Sequence, residues 1–484
     1  MTFKVKSVKF NFIMNFIMTA SSILFPLITF PYISRTLLAA GSGAVSSATS
    51  VVAYFLMFAS LGVPTYGIRA CAKVRDDRAE LSKTVQELLI INTLTTLIVY
   101  VVFFIMLAVV PKFAADRTLF IISGFSIILN VIGVSWLYSA LEEYAYITSR
   151  TLLFKVLSIV LMFMFVKNPD DYIKYAAISV FAGGGSFVLN FIRMHRYVDF
   201  KKIGPYDFKK HLKPILVFFA TSAGISVYTN LDTVMLWLMK TNTDVGYYAA
   251  GIKVKVLLTM LVTSLGTVLL PRLSYYVEKG NKEQFYKMTA KACNFVMLLG
   301  MSVTVYFFMF AKESILFLAG PDFIDAIVPM KLLMPTVLLI GLSNVTGIQV
   351  LTPTGRETKV LYSIIAGAVT DFILNLVLIP AYAADGAAFA TTIAEMAVLV
   401  VQCYFLKNEF KVIISDISFK KIIIAMFLSA FIAKAVCFIE FKSIFMTLVT
   451  TAMAFFVVDF ISLVVMKEKF IIDIFTSLKC AHKD

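Results

Sequence analysis

The stretch NLDTVMLWLMKTNTDVGYYAAGIKVK, residues 230–255, places charged side chains inside two apolar runs. Asp232 lies within the first run, and Lys253 and Lys255 lie deep within the second. A charge in the middle of a lipid bilayer is costly, and it is usually retained for function or for a paired structural role. The stretch therefore predicts two spanning helices that carry ionisable groups at depth.

The composition of the whole chain indicates an integral membrane protein. The 484 residues are 60% hydrophobic and 15% charged, with a net charge of +15. A soluble domain of this length does not need so much apolar surface. The basic residues lie between the apolar runs rather than in one patch, so we do not expect nucleic-acid binding. The five cysteines are scattered without paired spacing, which indicates neither a disulfide framework nor a zinc site.

A spanning helix needs about 20 apolar residues, and this length predicts an all-α polytopic fold with about 14 transmembrane helices. The predicted spans are 11–34, 43–67, 86–110, 117–139, 147–167, 171–192, 213–239, 244–271, 287–311, 324–351, 358–379, 384–406, 421–439 and 442–466. The first span exceeds signal-peptide length and has no convincing cleavage site. The predicted divisions are an N-terminal lobe (1–195, helices 1–6), a cytoplasmic basic linker (196–212), a C-terminal lobe (213–407, helices 7–12) and a last segment (408–484) with helices 13 and 14 and a cytoplasmic tail.

The loop charges predict the orientation. Lysines and arginines are concentrated on alternate loops, including the long loop 193–213, and few lie on the opposite side. Cytoplasmic loops carry such an excess. We therefore expect both termini to be cytoplasmic.

Two inner-facing segments form a candidate internal repeat. GVPTYGIRACAKVRDDRAELSK (62–83) and GTVLLPRLSYYVEKGNKEQFYK (266–287) align after a shift of roughly 200 residues, which pairs Gly62 with Gly266 and Arg69 with Arg272. The repeat predicts two six-helix lobes related by a pseudo-two-fold axis along the membrane normal, which is a transporter architecture. Chance similarity between two inner loops is the alternative.

These segments resemble oligosaccharide flippases of the polysaccharide transporter type, within the multidrug/oligosaccharidyl-lipid/polysaccharide (MOP) superfamily. The resemblance rests on LGVPTYGIRACAKVRDD (61–77), NLDTVMLWLMKTNTDVGYYAAGIK (230–253), LLPRLSYY (269–276) and FPLITFPYISRTL (25–37). WLYSALEEY (136–144) departs from it, because many relatives carry an aromatic-Gln-Gly step there. The resemblance implies a flippase of a bacterial cytoplasmic membrane. It would move a polyprenyl-diphosphate-linked oligosaccharide to the outer leaflet by alternating access, for cell-surface polysaccharide synthesis and alongside other assembly proteins.

The buried lysines predict a site for the substrate's diphosphate. Lys253 lies about ten residues below the outer end of its helix, roughly 15 Å deep at 1.5 Å per residue. Lys255 points to another face, so we expect one of the two to line a cavity. The alternative is a structural ion pair with Asp232 or Glu395. Further basic candidates for the substrate site are Arg35, Lys155, Lys331, Arg69 and Arg272.

The buried acids predict a coupling-ion site at matched depth, roughly 9 to 13 Å from the outer ends of three helices. The candidate ligands are Asp232, Asp371, Asn375, Thr391 and Thr392. Their oxygens suit Na⁺, or one acid carries H⁺. The related lipid II flippases hold sodium with similar residues, as the resemblance implies. The alternative is a hydrogen-bond cluster that only packs the helices. No other metal and no resident cofactor is expected.

Motifs for other chemistry do not occur in the sequence. It contains no GxxxxGK[ST] phosphate loop, no GxSxG elbow and no HExxH pair. We therefore expect a transporter rather than an enzyme. Two alternatives stay open: a multidrug or organic-cation exporter of the same superfamily, and a membrane polysaccharide polymerase. Unpaired acids would favour the exporter, and a large polar outer loop would favour the polymerase.

Overall fold

The computed structural model describes residues 8–415, 417–439 and 441–472, and every regular element within them is a helix. This confirms the predicted all-α class. The described chain divides into two compact units, which we call unit 1 and unit 2, and the division falls between Gly246 and Tyr247. The lobe boundaries predicted at 195 and 213 stay predictions. Residues 1–7 and 473–484, with most of the predicted cytoplasmic tail, lie outside the described residues.

Unit 1 contains ten α-helices, which are joined by short turns and by two irregular helical pieces. The α-helices are α1 (Val8–Ser60), α2 (Val63–Lys73), α3 (Arg78–Val109), α4 (Pro111–Ala115), α5 (Arg117–Gly133), α6 (Ser135–Ala140), α7 (Tyr144–Phe165), α8 (Tyr172–Val180), α9 (Phe187–Met194) and α10 (Lys209–Met239). A 3₁₀ turn, Pro169–Asp171, precedes α8, and a π-helix, Phe181–Gly185, connects α8 to α9. The π-helix contains the three consecutive glycines.

The first helix is 53 residues long and changes direction at Leu38, whose φ is 58° and ψ is −176°. At 1.5 Å per residue it extends roughly 80 Å, whereas a bilayer core is about 30 Å thick. The two arms on either side of Leu38 therefore suit two crossings without an intervening loop. The second arm ends at Ser60, earlier than the predicted residue 67, because Leu61 and Gly62 adopt positive φ and α2 begins at Val63.

Position 62 requires a glycine because of its backbone conformation and the close approach of α10. Its φ is +75°, and an added Cβ would lie 2.5 Å from the backbone nitrogen of Phe219 in α10. The nearby core of unit 1 joins α2, α3 and α6 through buried side chains such as Leu88, Trp136 and Tyr138. The divergent segment 136–144 thus begins as packed core.

Unit 2 begins within α11 (Asn242–Glu278). It continues through α12 (Lys282–Met309), α13 (Ala311–Leu318), α14 (Ile327–Ser343), α15 (Glu357–Phe405), α16 (Phe410–Ile413), α17 (Phe419–Cys437) and α18 (Ile444–Val465). A 3₁₀ segment, Pro321–Ala326, precedes α14, and a π-helix, Asn344–Leu351, follows it.

The last two helices, α17 and α18, pack against α12 and the start of α13. Tyr306 and Phe310 share a core with Ala433 of α17 and Phe455 of α18. The Tyr306 hydroxyl also donates a hydrogen bond to the Leu448 carbonyl, at 2.8 Å. The C-terminal pair of helices is therefore an integral part of unit 2.

Ten helices within the described residues are long and apolar enough to cross a membrane. Two of them, Ile13–Lys73 and Glu357–Phe405, contain a kink and are long enough for two crossings each. The apolar helix Arg117–Gly133 is shorter than the others. The membrane fold is thus confirmed, and the count of 14 stays a prediction.

The two repeat segments share a helix-capping arrangement. The Asp77 side chain accepts hydrogen bonds from the backbone at the start of α3, and the Asn281 side chain does the same at the start of α12. Each of these two residues comes after a helix and a short turn that contains a basic residue. An Asx side chain at this position satisfies backbone N–H groups that have no partner within the helix.

Candidate functional site

Helix α15 turns back on itself at Ala383, whose φ is 46° and ψ is −122°. Pro380 lies just before the corner. Gly386 lies just after it, where an added Cβ would be 2.5 Å from the Leu378 carbonyl oxygen. The two arms of α15 therefore approach each other closely and form a hairpin.

This hairpin carries four of the five predicted ion ligands. Asp371 and Asn375 lie on the first arm, Thr391 and Thr392 lie on the second, and all four are buried. Asn375 precedes the corner residue by as many positions as Thr391 follows it. Residues equally far from a hairpin corner lie at similar depth. The structure thus places these four buried residues on the two arms of one hairpin in unit 2.

The two threonines also bond to neighbouring helices of unit 2. The Thr391 hydroxyl is 3.0 Å from the Tyr248 hydroxyl and 2.9 Å from the Ala387 carbonyl oxygen. The Thr392 hydroxyl donates to the Leu332 carbonyl of α14, at 2.6 Å. The two threonines thus connect the second arm of α15 to α11 and α14.

The fifth predicted ligand, Asp232, lies in α10, which belongs to unit 1. Its side chain is buried. The structure therefore divides the predicted ligand set between the units, with Asp232 in one and the α15 residues in the other.

The two lysines of α11 have different surroundings. Lys253 is exposed, whereas Lys255 is mostly buried and its Nζ lies 4.0 Å from Oε1 of Glu395. Glu395 lies one helical turn beyond Thr391 on the second arm of α15. Of the two predicted roles, Lys255 thus has the geometry of an ion pair, and Lys253 has an accessible charge.

The remaining basic candidates are dispersed. Arg69 and Arg272 are exposed, and so is Arg35, whose Nη1 donates to the Pro31 carbonyl at 3.0 Å. The Lys331 ammonium lies 5.9 Å from the centroid of the Phe308 ring. Arg35 and Arg69 lie in unit 1, and Arg272 and Lys331 lie in unit 2.

Lys155 lies apart from the other candidates, in a cavity inside unit 1. Its Nζ donates to the hydroxyls of Ser21 and Ser22, each at 3.0 Å. The cavity has a volume of about 230 Å³. Thr29, Ser158, Tyr175 and Ser179 contribute hydroxyls to its lining.

Sequence reasoning missed a polar contact between the start of α3 and the loop that follows α9. Residues 195–211, which we call the strap, lie along one stripe of that helix formed by Arg78, Ser82, Gln86 and Glu87. The Arg78 guanidinium forms two bonds to the Asp199 carboxylate, at 2.8 and 3.0 Å, and this pairing lowers the pKa of Asp199. Polar residues at i, i+4 and i+8 in front of an apolar span are the signal that identifies such a stripe.

The centre of this attachment is the fully buried carboxylate of Glu87. It accepts from the backbone N–H of Asp207 at 2.8 Å and from Lys210 at 2.9 Å, and it lies 2.8 Å from Nε2 of His211. The other ring nitrogen of His211 is 2.8 Å from the Tyr66 hydroxyl. A buried acid is stable only with such partners. The segment predicted as a linker is therefore held firmly on unit 1.

Sequence comparisons identify relatives along most of the chain. A family model described as polysaccharide biosynthesis protein matches residues 8–277. A protein of Escherichia coli (strain K12), provisionally named an O-antigen transporter, is 22% identical over 83% of this chain and 97% of its own length. A protein of Shigella dysenteriae with the same name is 24% identical over 81% and 98%.

Structural comparisons confirm the fold. The lipid II flippase MurJ in an inward closed conformation superposes with a TM-score of 0.71, at 14% identity, over 94% of this chain and 98% of MurJ. An inward-facing multidrug resistance MATE family transporter of the MOP superfamily gives a TM-score of 0.58, at 15% identity, over 81% and 98%. These relatives are named as transporters and a flippase rather than as enzymes.

Proposed function

Because the chain belongs to the polysaccharide biosynthesis protein family, we propose that it flips a lipid-diphosphate-linked oligosaccharide across a bacterial cytoplasmic membrane. The movement runs from the inner to the outer leaflet and supplies repeat units for cell-surface polysaccharide. The observation that carries this proposal is Lys253, an exposed lysine on a membrane-spanning helix of a transporter fold. An ionisable residue within a spanning helix marks a functional site, and a cation there suits an anionic ligand.

Lys253 is the better diphosphate ligand of the two lysines on α11. The Lys253 residue is exposed, whereas the ammonium of Lys255 lies against Glu395. Lys253 lies eleven residues after Asn242, the first residue of α11, which is roughly 16 Å along the helix. A lysine at this depth acts as a point charge that a diphosphate approaches from an aqueous cavity.

The direct test is a flipping assay in proteoliposomes that contain a fluorescent polyprenyl-diphosphate oligosaccharide. We expect the unmodified protein to expose the sugar to an outside quencher or lectin. Lys253→Gln should abolish flipping without changing the melting temperature, because the side chain is exposed. Lys202→Gln, at an exposed lysine of the strap, is the matched control and should flip normally. Full flipping by Lys253→Gln would remove the proposed role of this lysine.

The same vesicles distinguish the alternative function. An organic cation such as ethidium is added in place of the lipid substrate. The structural similarity to a multidrug transporter concerns the fold alone. Efflux of the cation without flipping of the lipid would contradict the flippase proposal.

Coupling to an ion gradient is a second part of the proposal. Asp371, Asn375 and Thr391 present carboxylate, amide and hydroxyl oxygens in the α15 hairpin. We propose that they bind Na⁺, with H⁺ as the alternative, and that the ion biases the access states. A ligand shifts such an equilibrium only by its different affinities for the two states.

Melting temperatures in Na⁺, K⁺ and choline at equal ionic strength test this part. We expect a rise in Na⁺ that Asp371→Asn removes, together with loss of gradient-driven flipping. Sodium-independent melting that responds to pH near neutrality would instead indicate H⁺. Identical melting temperatures in all three salts, without pH dependence, would show that these residues only pack the helices together.

A further inference from the structure

The cavity around Lys155 lies between α1, α7 and α8 of unit 1. Its wall combines apolar side chains such as Phe25 and Met162 with hydroxyl groups and a single ammonium group. A second cavity of about 340 Å³ shares Ser179 and Gly183 with it. The first cavity alone has several times the roughly 30 Å³ that one water molecule occupies in the liquid.

Lys155 lies about eleven residues into α7, roughly 16 Å along the helix, which is a mid-membrane depth. Within the described residues, no carboxylate lies within 4.0 Å of its ammonium group. Its two contacts are the neutral hydroxyls of Ser21 and Ser22. An intramembrane cation normally pairs with an opposite charge. Within the described residues, the positive charge of Lys155 is therefore not paired with a carboxylate.

The hydrogen-bond donors of the cavity are suited to an anion. An ammonium group has three hydrogens, and the two serines accept two of them, so one remains. The serine hydroxyls cannot supply more, because each donates its own hydrogen to the Met18 carbonyl. Tyr175 and Ser179 also line the cavity, and each side chain carries one hydroxyl hydrogen.

We propose that this cavity binds one small monovalent anion, such as chloride or bromide, next to Lys155. The ammonium and one hydroxyl donate to the anion, and water fills the remaining volume. The apolar part of the wall favours a weakly hydrated ion over a strongly hydrated one. The cavity lies in unit 1, whereas the proposed diphosphate ligand Lys253 lies in unit 2.

The test measures melting temperatures of the purified full-length protein in detergent. Sodium chloride or bromide replaces sodium gluconate at constant sodium concentration, so that ionic strength and any sodium site stay unchanged. Sulfate is avoided because it stabilises folded proteins through exclusion from their surface. We expect a saturable rise in melting temperature, as for any ligand that binds only the folded state. Lys155→Gln should abolish the rise, and Lys331→Gln should retain it.

Lys155→Arg keeps the charge and serves if Lys155→Gln fails to fold, because it should retain a halide response. Anomalous scattering from a bromide-soaked crystal gives a direct reading, with density expected beside Lys155. Equal melting in chloride and gluconate for the unmodified protein would overturn the proposal. So would stabilisation by a short-chain prenyl diphosphate but not by halide, since Lys155 would then belong to the substrate site. These outcomes do not depend on whether the protein flips a lipid.

Discussion

The hydroxyl of Ser302 lies between two oxygen atoms, one of which belongs to a buried acid of α18. It lies 2.7 Å from the Leu298 carbonyl oxygen and 2.7 Å from Oδ2 of Asp459. A hydroxyl has a single hydrogen, and a carbonyl has none to give. If Ser302 donates to Leu298, then Asp459 must donate to Ser302. A neutral carboxylic acid also avoids the cost of a lone charge in the membrane.

This reading predicts that Asp459→Asn is tolerated. The amide keeps the shape and can donate the same hydrogen bond to Ser302. We expect the melting temperature and the flipping rate to stay near those of the unmodified protein. Asp459→Ala should lower the stability by roughly 1 to 3 kcal/mol, because Ser302 loses its partner. If Asp459→Asn were instead as harmful as Asp459→Ala, the acid would have to be ionised.

At the scale of elements, the corner of α15 depends on Gly386. A side chain there would meet the Leu378 carbonyl oxygen at 2.5 Å. We predict that Gly386→Ala forces the two arms apart and lowers the stability by roughly 1 to 3 kcal/mol. Gly224→Ala in α10 is the matched control, because no atom lies within 4 Å of its added Cβ. There, alanine should raise stability by roughly 0.5 to 1 kcal/mol, since it favours a helix over glycine. Thermal unfolding of both variants checks the contrast, and equal effects would contradict the close approach.

The strap is the second element with a testable attachment. Glu87→Gln keeps the volume but removes the charge that Lys210 and His211 contact, so we predict release of residues 195–211. Truncating one side of a buried ionic contact costs roughly 3 to 5 kcal/mol. Limited trypsin digestion should then cleave after Lys201 or Lys202 far faster than in the unmodified protein. Unchanged cleavage would show that the other contacts suffice.

The contact between Arg78 and Asp199 should weaken only in acid. Arg78 lowers the pKa of Asp199, so its stabilising effect is present above the ordinary carboxylate pKa of about 3.9. It is lost only as the pH falls through the lower pKa of the folded protein. We therefore expect Asp199→Asn to increase cleavage of the strap by the same factor at every pH from 5 to 8. A difference that changes over this range would contradict the assignment.

The sequence predicted these elements unevenly, for physical reasons. Apolar length identified the helical class, and counting residues from helix ends placed Asp371 and Thr391 on neighbouring arms. Counting could not show that one residue, Leu38, replaces a loop, because a kink leaves the apolar pattern unbroken. Nor could hydropathy assign Asp232 to unit 1, since it contains no information on which helices pack together. The strap was missed because its charges resemble those of any cytoplasmic loop.

At the scale of the whole molecule, the orientation of the chain remains a prediction that labelling can test. We use a variant without native cysteines and place one cysteine at the exposed Lys202 or at the exposed Asp170. A membrane-impermeant maleimide applied to intact cells should label Asp170→Cys and not Lys202→Cys. Permeabilised cells should label both, which controls for accessibility. The reverse pattern in intact cells would invert the predicted topology.

The single-residue corner at Ala383 also bears on how the protein is made. A spanning segment enters the bilayer from the insertion machinery according to its own hydrophobicity, and an aspartate at its centre opposes entry by roughly 2.5 to 3.5 kcal/mol. The first arm of α15 contains Asp371 and would meet this barrier if it entered alone. Since no loop separates the arms, they leave the ribosome as one continuous apolar segment and can partition together. We therefore expect the smallest inserting piece of this region to be the whole hairpin rather than one arm.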